Sequence, residues 1–146
     1  MIFREAAVAD IPQIQIVRHA VRENRLSDPS LVTDADCEEF LTRRGKGWVC
    51  EIENNIVAFA IADLQDENIW ALFVQEGFEE KGIGRKLQQL MLDWYFAQGK
   101  EKAWLSTDPG TRARRFYEKS GWTPKGMMKN NELRFEMTAE EWKAKR

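Results

Sequence analysis

A chain of 146 residues, 43% hydrophobic and 32% charged, has the length and balance of one globular domain around one core, which excludes a disordered or fibrous chain. Its 22 Lys and Arg against 24 Asp and Glu leave a net charge of -2, which argues against a nucleic-acid partner, since neutralising phosphates takes a basic surface. No run approaches the ~20 apolar residues of a membrane span, and Met1 to Glu5 lacks a signal peptide's apolar run, so a cytoplasmic protein without a membrane partner is expected.

Ile2 to Glu5 is a short strand candidate. Asp10 can cap a helix whose apolar positions Ile11, Ile14, Val17 and Val21 recur at helical spacing, with Pro12 tolerated in the first turn. Asn24, Ser27, Asp28, Pro29 and Ser30 make Glu23 to Val32 a loop. Thr33 caps a second helix, with Asp36 in a box-like position, an inner face of Cys37, Phe40 and Leu41, and a stop at Gly45. Trp48, Cys50 and Ile52 alternate with Val49, Glu51 and Glu53, and Asn54-Asn55 offers a hairpin turn. Cys37 and Cys50 share no metal-ligand spacing, so two buried free thiols and no metal are expected. Ile56 to Ala62 is apolar nearly throughout, as a central strand is, and after a turn Ile69 to Val74 runs back.

From Ile83 the period changes. Ile83, Leu87, Leu90, Met91 and Trp94 mark one helical face, ended by Gly99. Lys102 to Thr107 is a strand, and a crossover this long predicts a parallel pair. Thr111 to Ser120 is a short helix with Ala113, Phe116, Tyr117 and Ser120 on one stripe. Glu132 to Met137 is a final strand, with room for another near Trp122.

Two segments carry chemistry. The first, Val74 to Leu87, joins a strand to a helix N-terminus through Gly77, Gly82 and Gly84. Free amides at such an end bind anions, glycines let them approach, and Lys81, Arg85 and Lys86 add positive charge. A P-loop would want Lys-Ser or Lys-Thr where Ile83-Gly84 stands, and a dinucleotide fold wants a third glycine near Leu87. Taken alone, the segment also reads as a plain strand-to-helix turn. The second is Asp108 to Trp122, whose Phe116 and Tyr117 read equally as core.

In this order and separation, the two segments resemble the GNAT superfamily of acyl-CoA-dependent N-acetyltransferases. Its signature after the fourth strand is Gln or Arg, two variable residues, Gly, any residue, then Gly or Ala. Glu79-Glu-Lys-Gly82-Ile-Gly84 occupies it, with Glu79 in place of Gln or Arg. Downstream the family shows Asn, two residues, Ala, two residues, Phe-Tyr, then Gly-Phe. Gly110, Ala113, Phe116-Tyr117 and Gly121-Trp122 stand there, with Gly110 in place of Asn. The likeness covers nearly the whole chain.

The resemblance implies an α/β fold: a single domain over 1–146 with a central mixed, mostly antiparallel sheet of about seven strands and four helices. It implies acetyl-CoA as co-substrate and an amine, small molecule or protein, as acceptor. In the family the fourth and fifth strands splay and the pantetheine arm lies between them. That places Leu72, Phe73 and Val74 along the arm, with the Val74 N–H polarising the thioester carbonyl. Lys81, Gly82, Ile83, Gly84, Arg85 and Lys86 would hold the diphosphate, and Ala113 and Phe116 would shape the thiol end. Tyr117 would be the general acid, a phenol of pKa about 10 serving a thiolate whose acid has pKa about 8.5.

The base is open among His19, Glu23, Asp63, Gln75 and water. Glu23, Asp28, Asp34, Asp36, Glu38 and Glu39 against Arg25 could form an acidic rim that attracts a cationic amine, or merely a solvated helix face. Glu79 and Gly110 motivate an alternative, a catalytically weak acyl-CoA-binding or regulatory module. An exposed tail from Thr138 to Arg146 motivates another, an interaction protein, with Trp142 packing back on the domain or burying in a homodimer.

Overall fold

The computed structural model describes residues 1–20 and 32–145. Val21 and most of the expected loop from Glu23 lie outside them. The elements run β1 (Ile2–Glu5), α1 (Ile11–Ala20), α2 (Asp34–Glu39), β2 (Gly45–Ile52), β3 (Asn55–Asp63), β4 (Asn68–Val74), α3 (Ile83–Ala97), β5 (Lys102–Thr107), α4 (Arg112–Lys119), β6 (Thr123–Met127), β7 (Leu133–Thr138) and α5 (Ala139–Lys145). One seven-stranded sheet has the order β1-β2-β3-β4-β5-β7-β6, antiparallel everywhere except between β4 and β5. The expected mixed α/β sheet is present. Among the described residues no helix is long and apolar enough to cross a membrane.

β3 is buried from Ile56 to Asp63 because both sheet faces are covered. On one face, Cys50, Ala58 and Ala60 pack against Leu87, Met91 and Tyr95 of α3. On the other, Val49, Phe59 and Ile61 pack against Ile11, Ile14 and Val17. The small residues Ala58, Ala60 and Ala62 alternate along β3 and let α3 lie close to the sheet. The expected Thr33 capping box is formed: Thr33 Oγ1 accepts from the Asp36 N–H at 3.1 Å, and Asp36 Oδ2 accepts from the Thr33 N–H at 2.9 Å.

Four sequence expectations need correction. Among the described residues there are five α-helices, not four. The fifth forms where an exposed tail was expected, because Thr138 and Glu141 make a second capping box, 3.0 and 2.9 Å. Its Trp142 is buried on its own chain, and the indole N–H donates to Asp93 Oδ1 of α3 at 2.8 Å. Asp10 is not the N-cap of α1 but the last residue of a 3₁₀ turn, Val8–Asp10. Its carboxylate accepts from the Ala7 N–H at 2.7 Å and pairs with Arg4.

The β2–β3 turn is Glu53-Asn54, both at positive φ (52° and 67°), one residue before the expected Asn54-Asn55. Gly45 does not simply stop α2, which continues as a π turn over Phe40–Arg44; Gly45 opens β2 opposite Asp63. A methyl group on Gly45 would fall inside the van der Waals radius of the Ala62 carbonyl oxygen.

Gly45→Ala is therefore expected to cost about 1–3 kcal/mol, because backbone cannot yield there as a side chain could. Gly110→Ala, whose new methyl would meet only Asp108 Oδ1 at 3.5 Å, is expected to stay within about 0.5 kcal/mol. Urea unfolding of both variants beside the parent checks the contrast.

Candidate active site

β4 and β5 are joined by a single rung, Asn68 opposite Trp104. The Trp104 N–H donates to Glu67 O at 3.1 Å, and its indole N–H donates to Asp66 O at 3.0 Å. Beyond that point the strands part. On its other side β4 stays paired with β3, through Leu72, Phe73 and Val74 opposite Ala60, Phe59 and Ala58. The Gln75 N–H donates to Val57 O at 2.8 Å, so antiparallel alternation turns the backbone groups of Leu72 and Val74 away from β3, toward the split.

A groove of about 420 Å³ follows from this parting. Leu72, Phe73, Val74, Gly82, Gly84, Arg85, Ala113, Phe116 and Tyr117 line it, so most of the residues picked from sequence meet at one place. Gly84 lies where a side chain would touch Phe116 (3.5 Å) and Val74 (3.8 Å), which fits α3, α4 and β4 together at the groove wall. Gly82 sits at φ 81° as the N-cap of α3 and caps it with no side chain. The first-turn amides of α3 therefore have no intrahelical acceptor and no side-chain cap.

Three sequence picks fall elsewhere. Ile83 is buried in the core, so only its backbone belongs to this turn. Lys81 and Lys86 are exposed and do not line the groove. The groove's cations are instead Arg85, Arg112, Arg115 and Lys119. The last three recur at 112, 115 and 119 along α4, a helical spacing that could have flagged them in the sequence.

Glu79 folds back on its own turn. Its Oε1 accepts from the Gly77 N–H at 2.8 Å and its Oε2 pairs with Arg112 at 3.0 Å. Its own amide, that of Gly77 and the Arg112 guanidinium hold its carboxyl below the usual carboxylate range.

Tyr117 is buried against Phe116, Trp122 and Phe135, with ring centres 5.3, 5.9 and 6.0 Å away. Among the described residues its hydroxyl has no hydrogen-bond partner. Burial pushes its pKa well above the ordinary phenol value, so it is a protonated donor at neutral pH.

The base candidates do not gather here. His19 is exposed at the end of α1, and Glu23 lies outside the described residues. Gln75 ends β4 with its amide on Val57. Asp63 is buried and fully engaged: Arg44 donates to both oxygens, at 3.1 and 2.7 Å, and the Gln65 and Asp66 amides donate to it as well. Of the acidic rim, Asp36 is spent in its capping box, Asp34 accepts from Gln15 at 3.3 Å, and Glu39 pairs with Arg43.

A family model described as the acetyltransferase (GNAT) family matches residues 14–122. Searching curated proteins finds no match. Among solved structures the chain is similar to the PaiA N-acetyltransferase of Thermoplasma acidophilum in complex with coenzyme A, at TM-score 0.81 and 11% identity over 94% of this chain and 98% of that one. It is similar to a ribosomal-protein-alanine N-acetyltransferase from Brucella melitensis, at TM-score 0.76 and 18% identity over 94% and 99%. An aminoglycoside 6'-acetyltransferase type Ii matches at TM-score 0.77 and 18% identity over 94% and 97%. At such identities the structures share the fold.

Tyr95 and Tyr117 are the only tyrosines. Burial raises both pKa values, and the Tyr95 hydroxyl also donates to Lys102 O at 2.7 Å. Titrating the native protein while following phenolate absorbance should show no step near pH 10, whereas the denatured chain should titrate there. Above about pH 10 the unfolded state binds fewer protons than the folded one, so stability falls as pH rises, by at most about 1.4 kcal/mol per pH unit per tyrosine. A native phenolate step near pH 10 would show that Tyr117 is open to solvent.

Proposed function

The chain belongs to the GNAT acetyltransferase family, and from that premise we propose that it moves an acetyl group from acetyl-CoA to a primary amine by direct attack on the thioester. The observation that carries this reading is the split between β4 and β5, with the backbone groups of Leu72 and Val74 turned into it and Tyr117 at its wall. An extended pantetheine arm, itself rich in amides, can pair with that edge as a further strand would. The α3 amides and the cations Arg85, Arg112, Arg115 and Lys119 suit the nucleotide's phosphates. Arg112 already neutralises Glu79, which removes the main sequence argument for a non-catalytic module.

In the reaction a neutral amine nitrogen forms a bond to the thioester carbon, and the carbonyl π electrons move to oxygen. The Val74 N–H stabilises that oxyanion as a preorganised donor. Collapse breaks the C–S bond, and the thiolate takes a proton while the new amide nitrogen loses one. Tyr117 is the donor to sulfur. Its raised pKa does not forbid this, because the same apolar walls disfavour the thiolate as well. We assign no side chain as base; the amine arrives neutral or sheds its proton to water. Free, buried Cys37 and Cys50 suit a reducing compartment, which supports a cytoplasmic setting.

Thiol release from acetyl-CoA with an amine panel tests the reading. Tyr117→Phe is expected to lower kcat about 100-fold while acetyl-CoA affinity changes less than about threefold. In the parent, kcat/KM should rise with pH as the amine deprotonates, with no falling limb from Tyr117 in the neutral range. Absence of any acyl-CoA binding by calorimetry at low salt would sink the proposal.

A further inference from the structure

Arg18 is a charged group that acetyl transfer leaves unused. It lies on α1, and its guanidinium carbon is 4.8 Å from the Trp70 ring centre, 5.0 Å from Phe73 and 5.7 Å from Phe59. Its Nε and Nη2 are shut off from solvent and have no hydrogen-bond partner among the described residues. Among the described residues no carboxylate pairs with it. Burial lowers its pKa, and Cys37, which acts on its charge, is a buried thiol.

A second arginine in the same stack shows what a satisfied one looks like. Arg44 lies 4.4 Å over Phe40, Phe40 stacks on Trp70 at 3.9 Å, and Trp70 meets Arg18. Arg44, at one end of this column, is held by Asp63 and Asp66 at 2.7 and 2.8 Å. Among the described residues, Arg18, at the other, has rings over its face and no partner for Nε or Nη2. Rings meet the face of a guanidinium and leave its N–H edge unserved, so they offset only part of the cost of burial. Nε–H and Nη2–H form one edge of that plane, two parallel donors at the spacing of carboxylate oxygens.

The position of this edge relates it to the groove. Phe73, whose ring lies against Arg18, also lines the groove and precedes Val74, whose N–H faces the split. One turn earlier on α1, Gln15 donates to Val32 O at 2.9 Å but carries a buried Oε1 with no donor. The inner side of α1 thus holds two unserved donors and one unserved acceptor, the complement of a carboxylate and an amine.

Building on the acetyl-transfer reading, we propose that Arg18 binds the carboxylate of the acceptor, which is a small amine carrying its own carboxyl group, such as a free amino acid. Polyamines and aminoglycosides have no carboxylate to place there.

The experiment compares amino acids with their carboxamides as acceptors for the parent, Arg18→Met and Arg18→Lys. The parent is expected to prefer the acid over the amide by about 10- to 100-fold in kcat/KM, the value of a bidentate charged hydrogen bond. Arg18→Met should erase the preference by lowering the acid's value alone, with acetyl-CoA affinity unchanged. Should Arg18→Met fail to fold, Arg18→Lys, which keeps the charge and loses the fork, is expected to lose at least tenfold on the acid. In parallel, thermal melts with each ligand should show the amino acid stabilising the parent and not the variants.

Equal turnover of acid and amide by the parent overturns the Arg18 site and leaves acetyl transfer standing. Arg18-dependent stabilisation by the acid, with no amine acetylated, upholds the Arg18 site and overturns acetyl transfer.

Discussion

One missing stretch of pairing governs this molecule. β4 is bound to β3 along its length but to β5 at one rung only. The reason lies in how the two halves of the sheet are completed. β1 to β4 form an antiparallel run, and β5, β7 and β6 form another, each satisfied internally. The crossover through α3 joins them, and Trp104 fastens them at the base through Glu67 and Asp66. At the other end, Phe116 stands against Gly84 and Val74. A bare strand edge is usually a liability for association. Here it opens into a groove within the molecule, where the proposed reaction would use its amides.

Charge is distributed to match. Cations reach the groove from α4, and one of them, Arg112, pairs with Glu79 of the turn, while Glu76 and Glu80 also line the groove. Across the sheet, on the α1 side, the surroundings are aromatic and dry. Tyr117 sits on the groove wall with its ring among other rings, which fixes it as a neutral donor. The two ends of the groove thus offer different media, polar at the start of α3 and apolar beside Tyr117.

Much of this was legible in the residues themselves. The period change at Ile83, the Thr33 box and the alternation through β2 are local signals, and local physics set them. The glycine turn could be placed before a helix because Gly82 and Gly84 precede an apolar stripe. What escaped depends on tertiary placement. Lys81 and Lys86 flank the glycines in sequence, yet both are exposed and do not line the groove, and α4 supplies charges from a segment about 30 residues on. Asp63 looked like a base candidate because nothing in the sequence tells that Arg44 will clasp it. Arg18 gave no signal, since an arginine on a helix is ordinarily solvated. The last helix was missed for a different reason: its Thr138 and Glu141 box was present in plain view, in a segment read as an exposed tail.

A sheet fastened at one rung is in effect two workshops sharing a bench. The half carrying β1 to β4, α1 and α2 holds Arg18 and so, in the proposed reading, the acceptor. The other half, β5 to β7 with α4, holds the phenol. With so little backbone shared between them, side chains around Arg18 and Trp70 can be exchanged without shifting the wall that carries Tyr117. Such a division lets one catalytic arrangement be fitted to new acceptors by rebuilding a single side, in nature or at the bench.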